Sequence, residues 1–160
     1  MIRAVLLLFA VAACSRGTEP GSDPAAETYA DSLGVHLSSM TKVSRDLYYA
    51  DVVLGTGTSV VTGTPISLYY TVWLPDGTPV QDNLHPGRYA SPLPYSVGSR
   101  ANIAGWDLGI PGMRVGGTRL LVVGSALAYG VLGTSCGIGD YCRVGHNATL
   151  VYRIQIVSSP

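Results

Sequence analysis

The sequence has no net charge and is poor in several residue types. Ten Lys and Arg residues balance ten Asp and Glu residues, so charge gives no argument for a nucleic-acid or anionic-membrane partner. A single phenylalanine stands against ten tyrosines and twenty glycines. Glu and Lys are absent after Lys42, so later acidic and basic side chains are all Asp and Arg. This change of composition predicts a domain boundary near residue 45.

The apolar run at the N-terminus is too short to cross a membrane as a helix. It covers residues 4–13, whereas a spanning helix needs about 20 residues. Because Arg3 precedes this run and small residues follow it, we predict a signal peptide over residues 1–13. The ending "VAAC" resembles a bacterial lipobox, which implies a lipid on Cys14 and a periplasm-facing location in the bacterial cell envelope. No Asp follows Cys14, which favours the outer membrane; plain secretion with an incidental cysteine is the alternative.

The three cysteines include no Cys-x-x-Cys motif, so a redox activity is not indicated. If Cys14 carries lipid, Cys136 and Cys142 remain as a pair in an oxidising compartment. A disulfide between them would close the loop "CGIGDYC" and stabilise the fold by roughly 2 kcal/mol. Two unpaired thiols are the alternative.

The composition also predicts how the chain is organised. Residues 14–44 are rich in Ser, Thr, Gly, Pro and Ala, and we predict a flexible lipidated tether that reaches roughly 30 Å. The functional domain is then predicted over residues 45–160. Runs of β-branched and aromatic residues predict strands over 47–55, 66–74, 118–124 and 148–157.

One short helix is predicted in the glycine-rich segment before the third of these strands. Ser99 is suited to cap it, and Ile103 and Trp106 fall on one face. Gly109 and Pro111 are suited to end it. A sheet with a single helix buries its apolar face by laying the helix across it. We therefore expect Trp106 to face the sheet.

Four motifs, in order and at compatible spacing, resemble those of the FKBP-type peptidyl-prolyl isomerases. They are the aromatic strand and Asp-Gly hairpin in "LYYTVWLPDGTPVQDN", the Leu-Gly, Val-Ile, Gly-Trp, Gly, Met and Val-Gly run in "YSVGSRANIAGWDLGIPGMRVGGTRLLV", the Ala-Tyr-Gly loop in "SALAYGVLG", and the last strand in "NATLVYRIQIV". The resemblance covers about residues 47–157. It implies an α+β fold in which an antiparallel, strongly twisted sheet of about five strands wraps around one short helix.

The resemblance also implies a site for an Xaa-Pro peptide. Trp106 matches the floor under the proline ring, and Ile103 matches the residue whose backbone amide binds a carbonyl. Tyr129 matches the tyrosine whose hydroxyl points into the site. Tyr70 and Tyr152 match aromatic wall positions. Ordinary core packing is the alternative interpretation of each aromatic residue.

Further wall positions match less closely. Leu93 and Val144 correspond to apolar wall residues in the resemblance. The family's Phe-Asp pair falls on Val80 and Gln81, although a one-residue shift would bring Asp82 to the place of the carboxylate. A smaller wall and a missing buried charge both predict weaker catalysis.

This site fits the chemistry of prolyl isomerisation, which needs no nucleophile, metal or cofactor. Amide resonance opposes the rotation with a barrier of about 18–20 kcal/mol, and a dry aromatic pocket can favour the twisted amide. The three histidines, His36, His85 and His146, lack the spacing of metal ligands. We therefore predict a monomeric isomerase of exported, proline-containing polypeptides. An FKBP-fold chaperone or binding module with little activity is the alternative.

Overall fold

The fold is an antiparallel sheet with one short α-helix across it. The structure, a computed structural model, describes residues 23–83, 91–135 and 143–159. Within these ranges the main sheet has seven strands: β1 (Thr41–Ser44), β2 (Leu47–Val53), β3 (Pro65–Trp73), β4 (Pro79–Asp82), β5 (Leu93–Ser96), β6 (Thr118–Val123) and β9 (Leu150–Ser158). The predicted α+β antiparallel fold is confirmed, with seven strands rather than about five.

The chain order and the spatial order of the strands differ. The sheet runs β1-β2-β6-β9-β3-β4, and β5 pairs with the first half of β3, on the same edge as β4. Two further strands, β7 (Thr134–Ser135) and β8 (Arg143–Val144), pair with each other in a separate ribbon. Short 3₁₀ helices cover Pro24–Ala26, Asp31–Leu33, Leu37–Ser39, Ser125–Leu127 and Gly130–Leu132. Within the described ranges no helix combines the length and apolar character that a membrane span requires.

The central strand β9 shows why both faces of the sheet are covered. Alternate side chains of a strand point to opposite faces. Leu150, Tyr152, Ile154 and Ile156 lie in the core on the helix side, whereas Val151 belongs to a second cluster on the opposite face. The sheet therefore needs apolar cover on both sides.

The helix α1 (Ala104–Gly109) lies close to the sheet because two glycines face it. A Cβ atom on Gly105 would lie 2.5 Å from Cγ1 of Val123, and one on Gly109 would lie 2.7 Å from Cδ2 of Leu121. The four-residue spacing places both glycines on one face of the helix. This close contact leaves Trp106 fully buried against the sheet, as the sequence predicts.

The predicted helix cap is wrong. The helix begins at Ala104, and Ile103 is the N-cap residue without a side-chain hydrogen bond. The hydroxyl of Ser99 instead accepts a hydrogen bond from the N–H of Ala101 at 3.4 Å, within the preceding turn. The helix has six residues, since the chain from Ser99 to Ile103 is taken up by that turn.

A buried arginine ties the end of the helix to the sheet. The guanidinium of Arg119 on β6 donates to both carboxylate oxygens of Asp51, at 2.7 and 2.9 Å. It also donates to the carbonyl oxygens of Gly109 and Pro111, at 2.8 and 3.2 Å. The ring of Tyr49 lies 4.0 Å from its central carbon. The planar guanidinium can satisfy all of these partners at once, which a lysine could not.

The segment before the domain packs on the outer face of the sheet. Its residues Leu33, Val35 and Met40 are buried in an outer cluster, completed by Tyr48, Leu120, Val122 and Val151. Residues 23–44 therefore do not form the flexible coil that their composition predicts. A few apolar side chains spaced along this polar segment suffice to fix it, because the outer face of the sheet is itself apolar.

The edge strand β1 belongs to this same segment. It has four residues and pairs with β2, with an irregular register between Lys42 and Ser44. The ammonium of Lys42 lies 5.3 Å from the centre of the Tyr48 ring. The predicted domain boundary at residue 45 thus falls between two paired strands. Cys14, Cys136 and Cys142 lie outside the described residues, so the lipid and the disulfide stay predictions.

The packing of the N-terminal segment can be tested with a core substitution. We expect Leu33→Ala to lower the free energy of unfolding by about 2–4 kcal/mol, because it leaves a cavity in the outer cluster. Val43→Ala is the control in the same segment; its side chain is 44% exposed and should cost less than about 1 kcal/mol. Urea unfolding measures both changes. Equal, small effects would show that the segment does not pack on the sheet.

Candidate active site

Three tyrosine rings surround the buried indole of Trp106. The ring centres of Tyr70, Tyr95 and Tyr152 lie 5.2, 5.5 and 5.7 Å from it, each in an edge-to-face arrangement. Such pairs contribute about 0.5–1.5 kcal/mol each beyond their buried area. Trp106 and Tyr152 are almost completely buried, and the indole N–H has no hydrogen-bond partner within the described structure. The helix and strands β3, β5 and β9 thus assemble one aromatic cluster.

Tyr95 is a member of this cluster that the motif comparison did not single out. Its hydroxyl donates a short hydrogen bond to the carboxylate of Asp107 on α1. The same carboxylate accepts hydrogen bonds from the backbone N–H groups of Gly98 at 2.7 Å and Arg100 at 3.1 Å. Asp107 therefore holds the turn before the helix. The alternation of Leu93, Tyr95 and Val97 on β5 and just beyond it could have indicated an inward-facing aromatic residue.

An open hollow of about 460 Å³ lies at the start of the helix. It is lined by Ala101, Asn102, Ile103, Ala128 and Tyr129. The Tyr129 side chain is 38% exposed, whereas Ile103 is mostly buried. Trp106 is fully buried, so its indole is not exposed on the surface of the hollow.

The backbone N–H of Ile103 already has an acceptor. It donates to the side-chain oxygen of the preceding residue, Asn102, at 2.8 Å. Because Ile103 precedes the first helical residue, the helix does not use this N–H. The group predicted to bind a substrate carbonyl is therefore at the hollow and is bonded to a neighbouring side chain.

The tyrosine hydroxyls interact at the border between the cluster and the hollow. Burial, and then the charge of Tyr129 and a hydrogen bond with it, raise the pKa of Tyr152 well above its usual value. Burial, followed by Tyr129 and Asp82, raises the pKa of Tyr70. Burial and the bond to Asp107 raise the pKa of Tyr95. All three phenols thus remain neutral hydrogen-bond donors at neutral pH.

Comparison with known proteins shows which family shares this sequence and fold. Residues 57–157 match the model of the FKBP-type peptidyl-prolyl cis-trans isomerases. An FK506-binding protein of Neisseria meningitidis is 32% identical over 111 residues, which cover 69% of this chain and 94% of the relative. The chain belongs to the FKBP family.

Other relatives and solved structures differ in length. The chain spans 27–30% of the length of three longer FK506-binding proteins, from Dictyostelium discoideum, Drosophila melanogaster and Rhizopus delemar. The crystal structure of AtFKBP13 superposes with a TM-score of 0.61 at 30% identity, covering 71% of this chain and 93% of that one. FkpA from Escherichia coli shares the fold, with a TM-score of 0.63 at 24% identity over 75% of this chain and 51% of that one.

The FKBP wall positions after the hairpin lie on β4. Val80 is buried in the core on the helix side, and Gln81 is exposed. The pairing with β3 is irregular here, so that Gln81 pairs with Val72, which belongs to the same core, and Asp82 pairs with Thr71. The charge of Asp82 contributes to the raised pKa of Tyr70, so Asp82 supplies a carboxylate near the aromatic cluster.

The two remaining wall candidates also lie on the helix side. Leu93 on β5 is partly buried and packs against the core, and Val144 on β8 is buried in it. Neither lines the hollow at Ile103 and Tyr129. Among the ten predicted pocket residues, all of which the structure describes, Gln81 and Tyr129 are the two that are exposed.

The shifted tyrosines predict how stability depends on pH. An unfolded tyrosine ionises near pH 10, whereas Tyr152 and Tyr95 stay protonated to higher pH in the folded chain. The stability that they confer is complete below pH 10 and is lost as the pH rises beyond it. Above pH 10 we expect Tyr152→Phe to lose stability less steeply than the original chain, by about 1.4 kcal/mol per pH unit.

Urea unfolding from pH 9 to pH 12 measures this dependence. The difference between the two chains at pH 7 serves as the reference, because it contains only the loss of the neutral hydroxyl. Parallel curves above pH 10 would contradict a raised pKa for Tyr152.

Proposed function

We propose that this FKBP domain catalyses cis-trans isomerisation of Xaa-Pro bonds in exported polypeptides. The observation that carries the proposal is the link between the hollow and the aromatic cluster: Tyr129 lines the hollow and is hydrogen-bonded to Tyr152, whose ring packs on Trp106. Trp106 and its tyrosine neighbours form a water-poor region, and Ile103 N–H and the Tyr129 hydroxyl lie where that region meets solvent. This combination supplies apolar surface for a proline ring and donors for the adjacent carbonyls.

The chemistry requires only differential binding of two amide geometries. A planar Xaa-Pro amide has full resonance, whereas the twisted amide at the top of the barrier has lost most of it. A water-poor aromatic region disfavours the more polar planar form relative to the twisted one. Every factor of ten in rate requires about 1.4 kcal/mol of such preference.

Each site residue has a distinct part in this proposal. Ile103 N–H donates a hydrogen bond to the carbonyl that precedes or follows the proline, and the Tyr129 hydroxyl donates one to a second substrate oxygen. Tyr70 and Tyr152 enclose the ring. Because Trp106 is fully covered in this structure, the proline ring reaches the indole only after a side chain on the border moves. The part-exposed rings of Tyr70 and Tyr129 are the groups suited to that movement.

The proposed setting is the bacterial cell envelope. It rests on the signal peptide predicted over residues 1–13 and the lipobox at Cys14. The domain would then act as a monomer on proline-containing chains that fold after export. Comparing membrane fractions of cells that produce the original chain and Cys14→Ser would test the anchor.

The isomerase assay separates catalysis from structure. We expect Tyr129→Phe to lower kcat/KM about fivefold for a peptide of sequence Ala-Leu-Pro-Phe, because one hydrogen bond is lost. Trp106→Phe should lower it further, since it removes much of the apolar floor while keeping an aromatic ring. Leu108→Ala is the control on the same helix, because its side chain is 52% exposed. The proposal fails if all four chains accelerate the exchange equally or not at all.

A second function, peptide binding with little catalysis, is favoured by the surface beside Tyr129. The next two apolar side chains, Val131 and Leu132, are 62% and 82% exposed. Val80 is also smaller than the phenylalanine expected at its position, which weakens the wall of the site. Such a domain would hold unfolded clients through this apolar surface and isomerise them poorly.

Aggregation of an unfolded client distinguishes the two functions. We expect Leu132→Ser to weaken suppression of aggregation severalfold while leaving the peptide exchange rate unchanged. Val61→Ser, an exposed residue on another loop, is the matched control. If all three chains suppress client aggregation equally, the surface at Val131 and Leu132 does not bind the client.

A further inference from the structure

Ile103 lines the hollow, and its N–H is already bonded. Its acceptor is the side-chain oxygen of Asn102, at 2.8 Å, and both residues line the hollow. One N–H makes one strong hydrogen bond, so a second acceptor can bind only after the first has left. The Asn102 oxygen thus occupies the position that a substrate carbonyl needs.

This contact is particular to the residue at position 102. The motif run quoted above has Val-Ile where this chain has Asn102 and Ile103. Valine carries no acceptor, so it would leave the N–H open to the hollow. Asparagine brings a strong acceptor to its own neighbour's amide, a local side-chain-to-backbone bond that this residue type favours.

The Asn102 side chain is also able to leave. It is partly exposed, and its oxygen can bond to water once it rotates away from the N–H. The exchange therefore costs about one net hydrogen bond, because the amide passes from one acceptor to another while the oxygen returns to solvent.

We propose that Asn102 competes with the substrate carbonyl for the N–H of Ile103 and so sets how tightly this site binds an Xaa-Pro peptide. The proposal rests on the function proposed above. Asn102 blocks the donor in the unliganded domain and is displaced on binding, which raises KM and leaves kcat almost unchanged. The site therefore selects segments that make enough other contacts to displace the side chain.

Substitutions at position 102 test this competition in the full chain. We expect Asn102→Val to lower KM for the Ala-Leu-Pro-Phe peptide about fivefold with kcat unchanged, because no acceptor competes. Asn102→Ala should act in the same direction. Asn102→Asp should raise KM at pH 7, since an ionised acceptor forms the stronger bond. Ser99→Ala is the control, because it removes the bonds of that side chain to Ala101 N–H and to the Tyr95 hydroxyl in the same turn and leaves Ile103 N–H untouched.

The amide proton resonance of Ile103 provides a readout that does not depend on catalysis. We expect it to move upfield in Asn102→Val, where the bond is lost, and to return downfield when the peptide is added. In the original chain the peptide should change it little, because one acceptor replaces another.

The outcomes separate this inference from the function on which it rests. Tighter peptide binding by Asn102→Val without any isomerisation would support the competition and reject the catalysis. Isomerisation with an unchanged or higher KM in both Asn102→Val and Asn102→Ala would overturn the competition and leave the catalysis standing. An Ile103 amide resonance that is the same in the original chain and Asn102→Val would also overturn it.

Discussion

The candidate site depends on how closely the six-residue helix α1 approaches the sheet. Gly105 and Gly109 present no side chain to β6, and any Cβ there would overlap Val123 or Leu121. This contact presses the indole of Trp106 among three tyrosine rings. A helix of six residues has little stability of its own, so tertiary packing holds it in place. The glycines that surround the tryptophan in the sequence are therefore what allows it to be buried.

Sequence patterns predict the long elements well and the short ones poorly. The sequence predicts strands over 66–74, 118–124 and 148–157, and the structure has Pro65–Trp73, Thr118–Val123 and Leu150–Ser158. Strands of four residues, such as β1 and β5, contain too few alternations to be recognised. The composition of residues 23–44 predicts a flexible tether, but the segment packs on the sheet. Three or four apolar side chains change the mean hydropathy of a polar segment little, yet they suffice to anchor it.

The sequence predicts the residues of the candidate site that belong to recognisable motifs. It does not predict the contacts that depend on strand register or on the rotation of one side chain. Tyr70, Trp106 and Tyr152 meet as the resemblance implies, because the strand register places the two tyrosines on the face of the sheet against which the helix packs Trp106. The positions of Gln81 and Asp82 follow from the irregular register between β3 and β4, which no sequence pattern indicates. The bond between Asn102 and Ile103 depends on a single side-chain rotation, and no spacing rule encodes such a rotation.

The short strand β1 has a consequence for how these molecules behave when crowded together. An unpaired strand edge is a template for intermolecular pairing, and proteins blunt such edges with short strands, irregular register and lysine. β1 has all three features, and the only lysine in the chain, Lys42, lies on it beside the irregularity. Many copies held side by side on one surface would therefore resist joining their sheets into aggregates along this edge.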